Sequence, residues 1–73
     1  MMSNKDKRLV DIGNQIKILR KKKNFSQLKL AVLLGISREH LSKVERGATP
    51  PSLSLLFDII ELTDGQISLN KAV

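Results

Sequence analysis

Apolar residues recur along this chain at helical intervals. Leu9, Ile12, Ile16 and Leu19 are spaced by three and four positions, which puts them on one side of a helix and leaves Lys17, Arg20, Lys21 and Lys22 outside the stripe. The pattern predicts an amphipathic helix from about Lys5 to Lys23. Asn24 suits a left-handed C-terminal position, and Ser26 suits the N-cap of a second helix, Gln27 to Leu34, which Gly35 stops. Ser37 caps a third helix, Arg38 to Arg46, closed by Gly47. Pro50 and Pro51 prevent its continuation, because proline has no N–H to donate. Ser52 opens a fourth helix reaching about Leu62, with Leu53, Leu56, Phe57 and Ile60 as its expected inner face, and Thr63, Asp64 and Gly65 end it. Residues 66–73 fit either a short extended stretch or one turn of helix capped by Ser68. The expected fold class is all-α, a compact bundle of four to five helices.

The centre of the chain carries the most specific pattern. Two short helices joined through Gly35-Ile36-Ser37 leave too little chain to lie antiparallel, so they must cross steeply. Ala31, four positions before Gly35, lets the backbones approach, and Gly35 can take positive φ at the bend. Leu41 and Val44 turn the third helix toward the core. These are the requirements of a helix-turn-helix.

Composition narrows the classes of function. The chain has 73 residues, no cysteine and one histidine. Such a length makes one small domain. Without Cys there is neither a disulfide framework nor the usual ligand set for zinc, so no cofactor or metal is expected and apolar burial must fold the domain. No Gly-rich phosphate loop or paired-carboxylate spacing is present, and the lone His40 falls on the third helix; an enzyme is not expected. No apolar run approaches the roughly 20 residues of a membrane span, and the N-terminus is charged where a secretory signal would be apolar. The expected location is the cytoplasm.

Charge is unevenly distributed. Residues 1–23 hold eight Lys or Arg against two Asp, net +6; residues 24–51 hold four against two Glu, net +2; residues 52–73 hold one Lys against Asp58, Glu61 and Asp64, net −2. The basic part can face a polyanion while the acidic end faces away from it.

Ile12-Gly13, Ile16-Lys17-Ile18-Leu19-Arg20, Phe25-Ser26-Gln27, Leu30-Ala31, Leu34-Gly35-Ile36-Ser37, Leu41-Ser42-Lys43-Val44-Glu45-Arg46-Gly47 and Pro51-Ser52-Leu53, followed by Leu56 and Ile59, complete a longer pattern. In order and spacing it resembles the lambda-repressor-like helix-turn-helix family, the Cro and repressor (Xre) type of phages and bacterial regulators. The resemblance implies a duplex-DNA-binding domain over residues 9–65, with an N-terminal arm and helix start at 1–8 and a short C-terminal segment at 66–73. It implies that the third helix reads the major groove through Arg38, Glu39 and Lys43, with Ser37 and His40 near the rim. Arg38 and Lys43 have the chemistry for guanine O6 and N7, while Glu39 can accept from cytosine N4 or orient Arg38. Gln27 matches a family glutamine that contacts phosphate at a helix N-terminus, and Arg20 with Glu45 matches an ion pair that orients the reading helix. Lys21, Lys22 and Lys23, with Arg20, are the expected source of backbone affinity.

The chain departs from that family in two respects. The loop Ala48-Thr49-Pro50-Pro51 has no basic residue, so phosphate contact there would rest on Thr49 and backbone N–H groups. Leu55, Ile59 and Leu62 form a second apolar row on the fourth helix; with Ile67 and Leu69 they are candidates for a homodimer interface, unless the C-terminal segment folds back to cover them. Leu28, Val32 and Leu33, at positions usually polar, support an alternative in which the same fold serves protein interaction, as an antitoxin-like or adaptor module. The leading expectation is a sequence-specific transcriptional regulator, a repressor, bound as a homodimer to an inverted repeat.

Overall fold

The computed structural model describes residues 4–68. Four helices follow one another: α1 (Asn4–Lys22), α2 (Gln27–Leu34), α3 (Arg38–Glu45) and α4 (Leu53–Thr63). No strand occurs among the described residues. Each helix after the first begins at a serine whose hydroxyl accepts a backbone N–H three residues on: Ser26 from Lys29, Ser37 from His40 and Ser52 from Leu55, at 2.9–3.1 Å. Such a cap satisfies a donor that the helix itself cannot, contributing about 1 kcal/mol. Asn24 at φ 61° closes the α1 end and Gly35 at φ 72° the α2 end, both left-handed as expected. At the end of α4 the left-handed residue is Asp64, at φ 51°.

The core joins all four helices. Ile16 of α1, Leu30 and Ala31 of α2, Leu41 and Val44 of α3, and Leu55 and Ile59 of α4 are buried together, with Ile12, Phe25, Leu34, Ile36, Leu56, Leu62 and Ile67 packed around them. Fully burying an aliphatic side chain is worth roughly 1.5–3 kcal/mol, so this cluster is the main stabilising feature of a domain without disulfides. Helix α1 approaches α3 closely at Gly13, where a Cβ would stand 2.5 Å from the carbonyl oxygens of Val44 and Glu45. Only glycine fits that contact.

The face of α4 differs from expectation. Leu53 and Phe57, read as inner residues, are 67% and 59% exposed, whereas Leu55 and Ile59, read as the outer row and as dimer candidates, are 7% and 0% exposed. A helix apolar nearly all round has two candidate stripes, and periodicity alone does not choose between them. Ser54, Asp58 and Glu61 held the discriminating signal, since they share the exposed side with Leu53 and Phe57, opposite Ile59. Leu62 and Ile67 are half-buried against the core. Leu69 lies outside the described residues.

The segment after α4 folds back onto α1. Gly65 lies against the Leu19 side chain, and the Gln15 carboxamide imitates a peptide group: its Nε2 donates to the Ser68 carbonyl and its Oε1 accepts the Ser68 N–H, each at 2.7 Å. Residues 65–68 are not helical, and one turn of helix beginning at Ser68 would fall outside the described residues.

Candidate nucleic-acid interface

The turn between α2 and α3 has the geometry the sequence called for. Gly35 and Ile36 donate their N–H groups back to Val32 and Ala31 carbonyls at 3.1 and 3.0 Å, closing α2, and Ala31 is 1% exposed beneath the turn. Helix α3 is thereby held against α2 on one side and α1 on the other. Its inner residues Leu41, Val44 and Glu45 are buried. At 100° per residue, Glu39, Lys43 and Arg46 point almost opposite to that inner face. All three are exposed, as is Arg38, while His40 and Ser42 are half-buried on the two flanks. Lys43 Nζ lies 3.5 Å from Glu39 Oε1, one turn away. Such a pair is weak in water, and its partners are free to exchange it for base edges.

Arg20 occupies a different position from the one its place outside the apolar stripe suggested. Its Nε and Nη2 donate to the two carboxylate oxygens of Glu45 at 2.7 and 3.1 Å, and Nη1 donates to the Phe25 carbonyl at 2.8 Å. The two side chains are 9% and 2% exposed. The orienting pair is therefore present, and three of the five guanidinium N–H donors of Arg20 are engaged inside the protein. A bidentate fork fixes angle as well as distance, and here it joins α1, the α1–α2 loop and α3.

Gln27, half-buried at the first position of α2, donates from Nε2 to Glu45 Oε1 at 3.0 Å. It thus belongs to the same buried network, with its Oε1 and second amide hydrogen remaining for another contact. Lys21, Lys22 and Lys23 are exposed beside it, although Lys23 Nζ lies 2.9 Å from Asp64. Ser37 is exposed at the start of α3. In the following loop, the Ala48 N–H is occupied by the Lys43 carbonyl at 2.9 Å and Pro50 and Pro51 have none, which leaves half-buried Thr49.

Sequence reading missed Ser42 and Arg46 on this surface. Arg46 is the C-cap of α3 and its Nε donates to the Ser42 carbonyl at 3.3 Å. Their spacing from Glu39, three and seven residues, was the available signal.

Comparison with known proteins follows the same lines. A helix-turn-helix family model matches residues 16–69. The chain belongs to the Xre, or lambda-repressor-like, helix-turn-helix family. That family comprises DNA-binding regulators of transcription, not a class of enzymes. The chain is 42% identical over 59 residues to the HTH-type transcriptional regulator SlrR of Bacillus subtilis, a match covering 73% of this chain and 39% of SlrR. It is 33% identical over 58 residues to an uncharacterized HTH-type transcriptional regulator, y4dL, of Sinorhizobium fredii, covering 80% of this chain and 30% of that protein. The chain thus matches well under half the length of either relative. Among solved structures, the restriction-modification controller protein C.AhdI of Aeromonas hydrophila superposes with a TM-score of 0.72 at 32% identity, covering 89% of this chain and 96% of that one. No helix among the described residues is long and apolar enough to cross a membrane.

Proposed function

We propose that this protein is a cytoplasmic, sequence-specific regulator of transcription, a repressor, that inserts α3 into the major groove of duplex DNA. The observation that carries this reading is the outward stripe Glu39, Lys43 and Arg46 on a helix whose tilt is held by the buried Arg20–Glu45–Gln27 network. A reading helix must be both exposed and rigid, because bidentate base contacts tolerate little misplacement. Arg38 and Lys43 supply donors for guanine, Glu39 an acceptor for cytosine N4. Lys21, Lys22 and Lys23, Ser37, His40, Thr49 and the free hydrogen of Gln27 set the register on phosphates, and Arg46 joins them at the end of α3. As a repressor it would act by occlusion, a domain seated in the groove blocking other proteins from the same site.

The protein acts as a homodimer on an inverted repeat with half-sites about one helical turn apart. With Leu55 and Ile59 in the core, the dimer face on α4 is Leu53 and Phe57. These residues are one turn apart, exposed and uncharged, and a two-fold contact centred on them would pair apolar side chains.

Binding assays with altered α3 test the reading. Arg38→Ala or Lys43→Ala costs about 1–3 kcal/mol on the cognate site and relaxes base preference at one position. Unchanged preference in both variants, measured by competition with base-substituted duplexes, would rule out α3 as the reader.

A further inference from the structure

We infer that the groove between the C-terminal turns of α2 and α4 is a docking site for a basic segment of another protein, which seats an apolar side chain between Leu33 and Leu62 and sets Lys or Arg against Asp58 and Glu61. The inference goes beyond DNA binding and does not depend on it.

The groove is shallow and open, lined by Leu33, Asp58, Glu61 and Leu62, and offers about 300 Å³, room for a single large side chain. Leu33 is 43% exposed and Leu62 is half-buried. Charge chooses the partner. The protein commits its other described carboxylates: Asp11 accepts from Gln15, Glu39 lies beside Lys43, Glu45 holds Arg20 and Asp64 holds Lys23. Among the carboxylates of residues 7–68, Asp58 and Glu61 are the two with no such partner among the described residues, and both line this groove.

The backbone adds to their field. Helices α2 and α4 both end at the groove, and neither has a basic residue in its last turn. A helix C-terminus carries partial negative charge and favours a cation nearby. Glu61, in the last turn of α4, has the unfavourable sign for its position, so the arrangement weakens the isolated helix slightly. Lys23 reaches this end only through Asp64, and Lys29, one turn before Leu33, makes no ion pair among the described residues. In a protein of net charge +6, two carboxylates without an ion pair among the described residues thus border one apolar notch.

Other occupants fit less well. A second copy related by a two-fold axis through the groove would oppose Asp58 and Glu61 to themselves. None of the residues assigned to DNA lines the groove, so it stays open while α3 is engaged. Leu28 and Val32, also exposed on α2, lie about 100–140° round that helix from Leu33 and do not line the groove.

Selection from a displayed library of random peptides against the full chain tests the inference, with the Asp58→Lys, Glu61→Lys double variant as counter-target. Both positions are exposed, so the variant keeps its helix content and its DNA affinity, which circular dichroism and gel shift verify. The expected peptides carry Lys or Arg flanking a large apolar residue. They bind wild type about tenfold or more tightly than the double variant, and Leu33→Ala weakens them whereas Val32→Ala does not. Peptides without common charge, or equal binding to both proteins, would overturn the inference. So would wild-type self-association in sedimentation that the double variant abolishes, since the occupant would then be a second copy.

Discussion

Arg20 and Glu45 form a buried, bidentate ion pair. Removing one partner of a buried ion pair leaves the other charged and uncompensated, at a cost of about 3–5 kcal/mol. Glu45→Ala should therefore lower thermal stability sharply and release α3 from its tilt. Simultaneous Arg20→Met and Glu45→Leu, which removes both charges, should recover much of the stability in a denaturant titration while leaving DNA affinity impaired. Gly13→Ala inverts a general rule. Alanine normally improves a helix interior by about 1 kcal/mol over glycine, but here its Cβ would meet the Val44 and Glu45 carbonyls at 2.5 Å, and separating α1 from α3 should cost about 1–3 kcal/mol. A midpoint equal to or above wild type in urea would show that α1 and α3 do not approach as described. At this scale the sequence was legible where chemistry is local: three serine caps, Asn24 and Gly35 each follow from what one side chain can do to its own backbone. The burial of Arg20 was not, although the family pattern pairs it with Glu45: it is imposed by Glu45 and the Phe25 carbonyl, which no helical wheel of α1 contains.

Among the elements, α4 separates fold from assembly. Ile59→Glu places a carboxylate in the centre of the core and should unfold the domain, whereas Phe57→Glu changes an exposed position and should leave helix content intact. If Leu53 and Phe57 form the dimer face, Phe57→Glu sediments as a folded monomer under conditions in which wild type is dimeric. A dimer unaffected by Phe57→Glu would place the interface elsewhere. The two stripes of α4 are hard to order from sequence because LSLLFDIIEL is apolar on both, and Ser54, Asp58 and Glu61 are what mark the wet side. Helix α3 was easier: leucine, valine and glutamate inward leave one charged face, and only its last turn, with Arg46, was overlooked. The clasp of Gln15 on Ser68 depends on a contact 53 residues apart in sequence, which no local pattern encodes.

At the scale of the molecule, charge and shape agree. The +6 segment of residues 1–23 ends in Lys21, Lys22 and Lys23, just before α2, and Asp58 and Glu61, without an ion pair among the described residues, sit at the groove of α2 and α4. Each lysine neutralising one phosphate contributes about one to the slope of log affinity against log salt. Lys22→Ala should lower that slope by roughly one and weaken all duplexes alike, whereas Lys43→Ala should weaken only the cognate site. The family and its helices were legible in sequence because helix-turn-helix geometry is built from neighbouring residues. The exposed stripe of α4 was not, because it depends on which side of the helix the rest of the molecule covers. The most direct test of the whole account is selection of duplexes from a random pool by the wild-type protein and by Lys43→Ala. The account predicts an inverted repeat with half-sites about 10 base pairs apart, and loss of preference at one symmetric pair of positions in the variant. No enriched sequence, or an identical sequence from both proteins, would contradict it.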